Sequence, residues 1–335
     1  MSDLRQSVVF KKVRIHFQGI QPSAWEHPAD KVALKALQQV PGLDTVIKSI
    51  FSITTEKSLR LMALGSSVRV TEKQFARVHQ LFEEACQTLD VAEKPELFVA
   101  QNPFFNAGAV GLDKPFIVLN SSLVTNLDDE ELLGVIGHEL AHILSGHVLY
   151  KTLLVILVRL STMAFNIPLT GIALGSIITA LKEWDRKSEL SADRAGVLVT
   201  QNPEKSIHLL MKMAGGGHVE DMDLGEFIKQ SQEYQQANSL LDTAHKVMNT
   251  IWLSHPVPVI RAVELMNWVR EGEYDRILRG FYQEQTGGFQ KDMEDAAKAY
   301  SKDVTDAFGP MFDQMKQTAN KAKDLLGNIF DKQNP

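Results

Sequence analysis

The chain has 335 residues, 44% of them hydrophobic and 23% charged, with a formal net charge of −6. That length can bury a large core, and one domain of about 200 to 250 residues with extensions is the simplest expectation. The acidic balance gives no footing for nucleic acid, and the single cysteine, Cys86, excludes an intrachain disulfide and fits a reducing compartment.

The N-terminus, MSDLRQSVVFKKVRIHF, is mixed and charged and carries no apolar run of the secretory kind, so no signal peptide is expected and a cytoplasmic location is favoured. Residues 1–45 read as a leader ahead of a main domain at 46–285. Within the leader, VVFKKVRIHF alternates apolar and charged residues, which predicts an edge strand. A helix is expected over Ala29–Leu37, stopping before Pro41-Gly42. Leu43 to Ser66 reads as one or two amphipathic helices, and Glu72–Leu89 as a clearer one, with Phe75, Val78, Leu81, Phe82, Ala85, Cys86 and Leu89 at helical spacing. Three short strand runs follow at 96–100, 107–111 and 116–119, separated by Asn-Pro and Asp-Lys-Pro turns, and they predict a small meander.

Asp128 to His147, DDEELLGVIGHELAHILSGH, reads as one helix, with Asp128 and Glu131 forming a capping box at its start. Inside it lies His138-Glu139-Leu140-Ala141-His142. Residues four apart stack on one helical face, so His138 and His142 present two imidazoles to one point, a geometry that suits zinc. Glu139 projects about 100° round the helix. It stands beside the metal, where it can take a proton from a water that the metal activates. A third histidine at the metzincin spacing is missing, because Ser145 and Val148 occupy the glycine and histidine places. His147 misses that register by one residue and reads as a helix-end residue or a support for a ligand.

The stretch 152–181 is apolar, with no charge from Leu160 to Leu181. A single crossing of a membrane would put His142 and any later ligand on opposite sides. Two crossings need about 40 apolar residues, and Arg159, Asn166 and Pro168 interrupt the run. A helical hairpin over 148–183, turning near Asn166-Ile167-Pro168, fits better, with arms of about 15 residues or about 22 Å. Core packing, a homodimer contact and a peripheral dip into one leaflet all remain open for it. Glu189 and Asp193 then fall four apart on one helical face, so one carboxylate can bind the metal while the other holds a ligand histidine by its free N–H. Apolar-periodic helices are expected over Pro203–Met213 and Val259–Arg270, with a polar one over Asp223–Thr250. Gly287-Gly288 opens a charged, weakly amphipathic tail at 286–335, helical or partly disordered.

The His138–His142 motif, Arg186 and the Glu189-x-x-Ala192-Asp193-Arg194-x-Gly196 pattern together resemble the family forty-eight zinc metallopeptidases. These are gluzincins that include the CAAX prenyl proteases and the bacterial heat-shock membrane proteases. Ser254-His255-Pro256 with Arg261 resembles the family's later His-Pro…Arg motif. Asn106-Ala107 resembles its edge-strand segment, with Gly108 where the family usually has an aromatic. The resemblance runs from about Pro95 to Val269. It implies zinc on His138, His142 and Glu189, with Asp193 orienting a ligand histidine and Arg261 orienting Asp193. It also implies His255 as a donor to the developing oxyanion. Asn106, Ala107, Gly108 and Ala109 would be the strand that pairs with an extended substrate.

The expectation is therefore an α+β, mainly α, gluzincin-type zinc metalloendopeptidase with a small β-sheet beside the H-E-x-x-H helix. It would hold one Zn2+ per chain and act on extended or unfolded polypeptide, in protein quality control. The competing reading is a latent or non-catalytic zinc-binding, chaperone-like module. That would require a fourth protein ligand, for which His27, His147 and His255 are candidates, with His27 and Asp30 as a built-in plug. Otherwise these two residues read as a cap and a packing histidine. Glu139 argues against the closed site, since a structural metal has no use for a general base. A membrane-embedded prenyl-protein protease is weakened by the missing full spans.

Overall fold

A computed structural model describes residues 13–162, 171–236 and 257–282. The described residues are mainly helical around one small sheet. Helices α1 (Pro28–Gln38), α2 (Leu43–Ile53) and α3 (Glu56–Ser66) lead into strand β1 (Ser67–Arg69) and helix α4 (Ala76–Thr88). Strands β2 (Leu97–Ala100), β3 (Ala107–Val110) and β4 (Phe116–Asn120) precede the short α5 (Ser121–Asn126) and the H-E-x-x-H helix α6 (Asp129–Leu144). Then come α7 (Val148–Thr162), α8 (Gly171–Thr200), α9 (Pro203–Gly215), α10 (Leu224–Gln236), α11 (Pro258–Arg270) and α12 (Glu273–Leu278).

The strands do not form the expected meander. Their order is β1-β2-β4-β3, with β2 and β4 parallel and β3 antiparallel to β4 on the outside. Composition explains the arrangement. Phe116-Ile117-Val118-Leu119 is apolar on both faces and takes the interior place, while Ala107-Gly108-Ala109 is small and takes the edge beside α6. Side-chain alternation then serves two layers. Phe98 and Phe116 pack with Leu59 and Ala63 of α3, while Leu97, Val99, Ile117 and Leu119 join the main core with α4, α6 and the end of α8. Strand β1 was not expected. It pairs antiparallel with β2, and Gln74 closes a turn on Thr71, so α4 begins at Ala76, four residues later than its apolar spacing suggests.

Residues 13–17 form no strand. Ile15 instead exchanges two hydrogen bonds with the side-chain amide of Gln201: its N–H donates to Oε1 at 3.0 Å, and its carbonyl accepts from Nε2 at 2.7 Å. A side chain thus takes the ladder's place. Residues 8–12 of the same alternating run lie outside the described residues. The leader's described part is built into the body: Phe17, Ile20 and Trp25 are buried in the main core.

A second core joins α1 and α2 to the apolar hairpin. Ala33, Leu37, Leu43, Val46 and Ile50 pack against Leu153, Leu154 and Leu157 of α7 and Ile177, Leu181 and Trp184 of α8. These buried residues give the described arms of the hairpin an internal packing role, although Val155 is 48% exposed. The turn at 166–168 lies outside the described residues. Among the described residues, no single helix is long and apolar enough to cross a membrane.

Candidate metal centre

Helix α6 begins as its sequence predicts. Asp128 accepts from the Glu131 N–H at 2.9 Å, and the Asp128 N–H donates to Glu131 Oε2 at 3.0 Å. Glycine brings α6 against α8. A Cβ at Gly137 would lie 2.8 Å from the Val199 side chain, and one at Gly196 would lie 3.0 Å from the Gly134 carbonyl oxygen. Only small residues allow that approach, which delivers Glu189 and Asp193 to the histidine face of α6.

The result is a buried triad. His138 Nε2 and His142 Nε2 stand 3.2 Å apart, and Glu189 reaches them at 3.4 and 3.2 Å. The three ligand atoms all lie within 4.8 Å of one another. Outer partners fix which nitrogens face inward. His138 Nδ1 lies 3.1 Å from Asp193 Oδ1, so its proton belongs on Nδ1 and its Nε2 points at the triad. His142 Nδ1 lies 3.0 Å from His147 Nδ1, which leaves its Nε2 inward too. Two imidazole lone pairs and a carboxylate converging at 3.2–3.4 Å repel unless a cation sits among them. The donor set N, N, O is one that zinc accepts, so the residues fit such an ion.

The carboxylates around the triad also set the local field. Burial alone would lower the His138 pKa, but the Glu189 and Asp193 carboxylates outweigh it and raise the group to about 9. His142 is pushed well below its ordinary value by burial and by the nearby Lys151 ammonium, which leaves it a neutral donor. Arg261 forks onto Asp193, with Nε to Oδ2 at 2.7 Å and Nη2 to Oδ1 at 2.5 Å. Its Nη1 approaches Glu189 Oε2 at 3.1 Å, as a charge contact without hydrogen-bond alignment. Burial opposes ionisation of Asp193, but Arg261 and His138 overcome it and hold its pKa below the usual carboxylate range.

Glu139 is 1% exposed and accepts the Ala109 backbone N–H on Oε2 at 2.8 Å. The register of β3 explains this bond. Backbone groups alternate along an antiparallel pair. The Asn106 carbonyl accepts from the Asn120 N–H, so Asn106, Gly108 and Val110 address β4 while Ala107 and Ala109 face the outer edge. A cleft of about 510 Å³, counted to its open mouth, runs beside this edge. Asn106, Ala107, His138, Glu139 and Arg261 line it with Leu123, Val135, Leu209, Leu210 and Met213.

The structure thus brings together His138, Glu139, His142, Glu189, Asp193, Arg261 and the 106–109 strand. His255 lies outside the described residues. Neither His27 nor Asp30 plugs the centre. His27 Nδ1 caps α1 by accepting from the Ala29 N–H, and its Nε2 faces Glu264 at 3.7 Å. Asp30 accepts from Trp184 Nε1 and Ser191 Oγ and pairs with His147. Among the described residues, the candidate ligand cluster is this triad alone.

Sequence reasoning missed Lys151 and Asp185. Lys151 Nζ donates to Glu189 Oε1 at 2.6 Å and to Asp185 Oδ1 at 2.7 Å, and these carboxylates overcome burial and raise its pKa. The available signal was a lone lysine at the head of an apolar helix, where an unpaired charge would be expensive.

Comparison with known proteins agrees with this centre. The sequence model of peptidase family M48 matches residues 72–269. The plastoglobule-localized metallopeptidase 48, chloroplastic, of Arabidopsis thaliana is 34% identical over 269 residues, covering 78% of this chain and 77% of its own. A protease HtpX homolog of Streptococcus thermophilus (strain CNRZ 1066) is 24% identical over 242 residues, covering 60% of this chain and 81% of its own. One from Lactobacillus acidophilus is 25% identical over 221 residues, covering 55% and 74%. No solved structure matches the chain. The family model spans more than half of the sequence and takes in both ligand helices, and the plant relative aligns over most of its own length: this chain belongs to peptidase family M48 and is a metallopeptidase.

Proposed function

We propose that the protein is a zinc-dependent endopeptidase that cleaves extended, unfolded polypeptide. The observation that carries this reading is the Glu139–Ala109 contact, which sets a carboxylate, the metal triad and an outward-facing strand edge at one point. His138, His142 and Glu189 would hold the ion. When bound, it supplies Lewis acidity, making water more acidic and polarising a carbonyl. Glu139 takes the attacking water's proton on its carboxylate and later delivers it to the leaving amine. The Ala107 backbone, on the same edge as the Ala109 N–H that Glu139 holds, would address the substrate backbone, so binding depends on extended shape and only weakly on sequence. The apolar wall of Leu123, Val135 and Leu210 favours an apolar side chain next to the scissile bond. His255, which the His-Pro motif suggests as an oxyanion donor, stays a proposal from sequence. Reading backbone in this way suits removal of unfolded chains, the basis for a quality-control role.

Unfolded casein and a folded control, incubated with wild type and with Glu139→Gln, test the proposal. Wild type should cleave casein and spare the folded control. Glu139→Gln should retain the metal and lose turnover. Equal turnover by the variant would sink the mechanism.

A further inference from the structure

The two ligand histidines are anchored differently. Asp193 holds His138 directly, whereas His142 leads into a chain of buried groups. The chain arises from how α6 ends. Gly146 adopts a left-handed φ of +71°, its N–H bonds the Ile143 carbonyl, and the His147 N–H bonds the His142 carbonyl at 2.9 Å. This turn folds His147 back over His142, with the Nδ1 atoms 3.0 Å apart. On its far side, His147 Nε2 meets Asp30 Oδ2 at 3.1 Å. Asp30 is itself fixed by Trp184 Nε1 at 3.1 Å and Ser191 Oγ at 2.6 Å. His142, His147 and Asp30 are each 2% exposed or less.

We propose that Asp30, from the segment ahead of the family-matched region, is a positioning residue for the metal ligand His142 and acts through His147. The hydrogen-bond roles allow one consistent order. His142 must keep its Nε2 lone pair for the metal, so its Nδ1–H donates to His147 Nδ1. The His147 proton then sits on Nε2 and donates to Asp30, a carboxylate that only accepts. Asp30 thereby sets the tautomer of His147, which sets the orientation of His142. The leader segment is then part of the metal centre, and α1 carries one of its supports. This inference rests on the assignment of His138, His142 and Glu189 as ligands.

The test is zinc affinity, by chelator competition, on full-length chains. Asp30→Asn and His147→Leu should each weaken zinc binding by about 10- to 100-fold, the usual scale for such supporting partners. The double variant should lose no more than His147→Leu alone. Ser191→Ala, which removes one anchor of Asp30, should lose a smaller factor. Val46→Ala, in the second core but on α2, should lower thermal stability and leave zinc affinity unchanged. In zinc-loaded wild type, nitrogen NMR should find His147 protonated on Nε2. Wild-type affinity in Asp30→Asn, losses that add fully in the double variant, or a His147 proton on Nδ1 would each overturn the proposal. His138→Ala separates the two readings. If it loses zinc while Asp30→Asn does not, only the relay fails; if it keeps zinc, the ligand assignment fails and the relay with it.

Discussion

Arg261 offers the sharpest test of how the centre is held together. It is 3% exposed and faces Asp193 through two hydrogen bonds and Glu189 through a third contact. Arg261→Met keeps most of the volume and removes the charge. Asp193 and Glu189, 8% and 0% exposed, then lose a buried counter-ion. Breaking a buried pair from one side costs about 3–5 kcal/mol. For a body of this size that corresponds to a drop in Tm of roughly 6–20 °C. A bound divalent ion supplies positive charge a few ångströms away, so the loss should be larger in chelator-treated protein than in zinc-loaded protein. Arg261→Lys restores charge without the planar fork and should recover only part of the loss. Thermal unfolding of the three proteins, with zinc and with chelator, measures all of this. A change under about 1 kcal/mol in chelator-treated Arg261→Met would refute the view that Arg261 neutralises these carboxylates.

Other consequences are independent of that one. Ala109→Pro removes the N–H that Glu139 accepts, but because that group faces away from β4 the sheet should survive. Losing a hydrogen bond to a buried charged group predicts a fall in kcat/KM of about 10- to 100-fold together with a stability loss of about 1–3 kcal/mol, and unchanged kinetics would remove β3 from the site. Gly146→Ala places a Cβ at φ +71° and should cost about 1–2 kcal/mol in denaturant melts. No measurable loss would mean that the turn is not strained as described. Chelation should lower Tm, and zinc at about 1,000 times its Kd should restore about 4 kcal/mol. A Tm indifferent to zinc would argue against a site formed only in the folded chain. Cys86 is 1% exposed, and burial pushes its pKa up to about 12. It should resist alkylation in the native protein and react fully once unfolded, and rapid native labelling would contradict the packing of α4.

Residue placement was readable where it depends on local spacing. His138 and His142, Glu189 and Asp193, and the Asp128 capping box are each set by one helical turn, so the chain announces them before any tertiary contact forms. What was hidden depends on partners distant in sequence. The central place of β4 follows from covering both sheet faces, which no strand pattern specifies alone. Asp30 meets His147 only because α1 packs on α8, and Lys151 reads as a flank of an apolar run until Glu189 and Asp185 arrive beside it. The failed strand at 13–17 has the same cause: alternation was present, but its partner proved to be the Gln201 side chain.

Anomalous diffraction at the zinc edge from zinc-loaded crystals would show whether the metal site is open on three protein ligands. One ion per chain is expected, bound by His138 Nε2, His142 Nε2 and a Glu189 oxygen at about 2.0–2.2 Å, with a fourth position open to solvent. An ion bound elsewhere, or a fourth protein ligand closing the site, would contradict it.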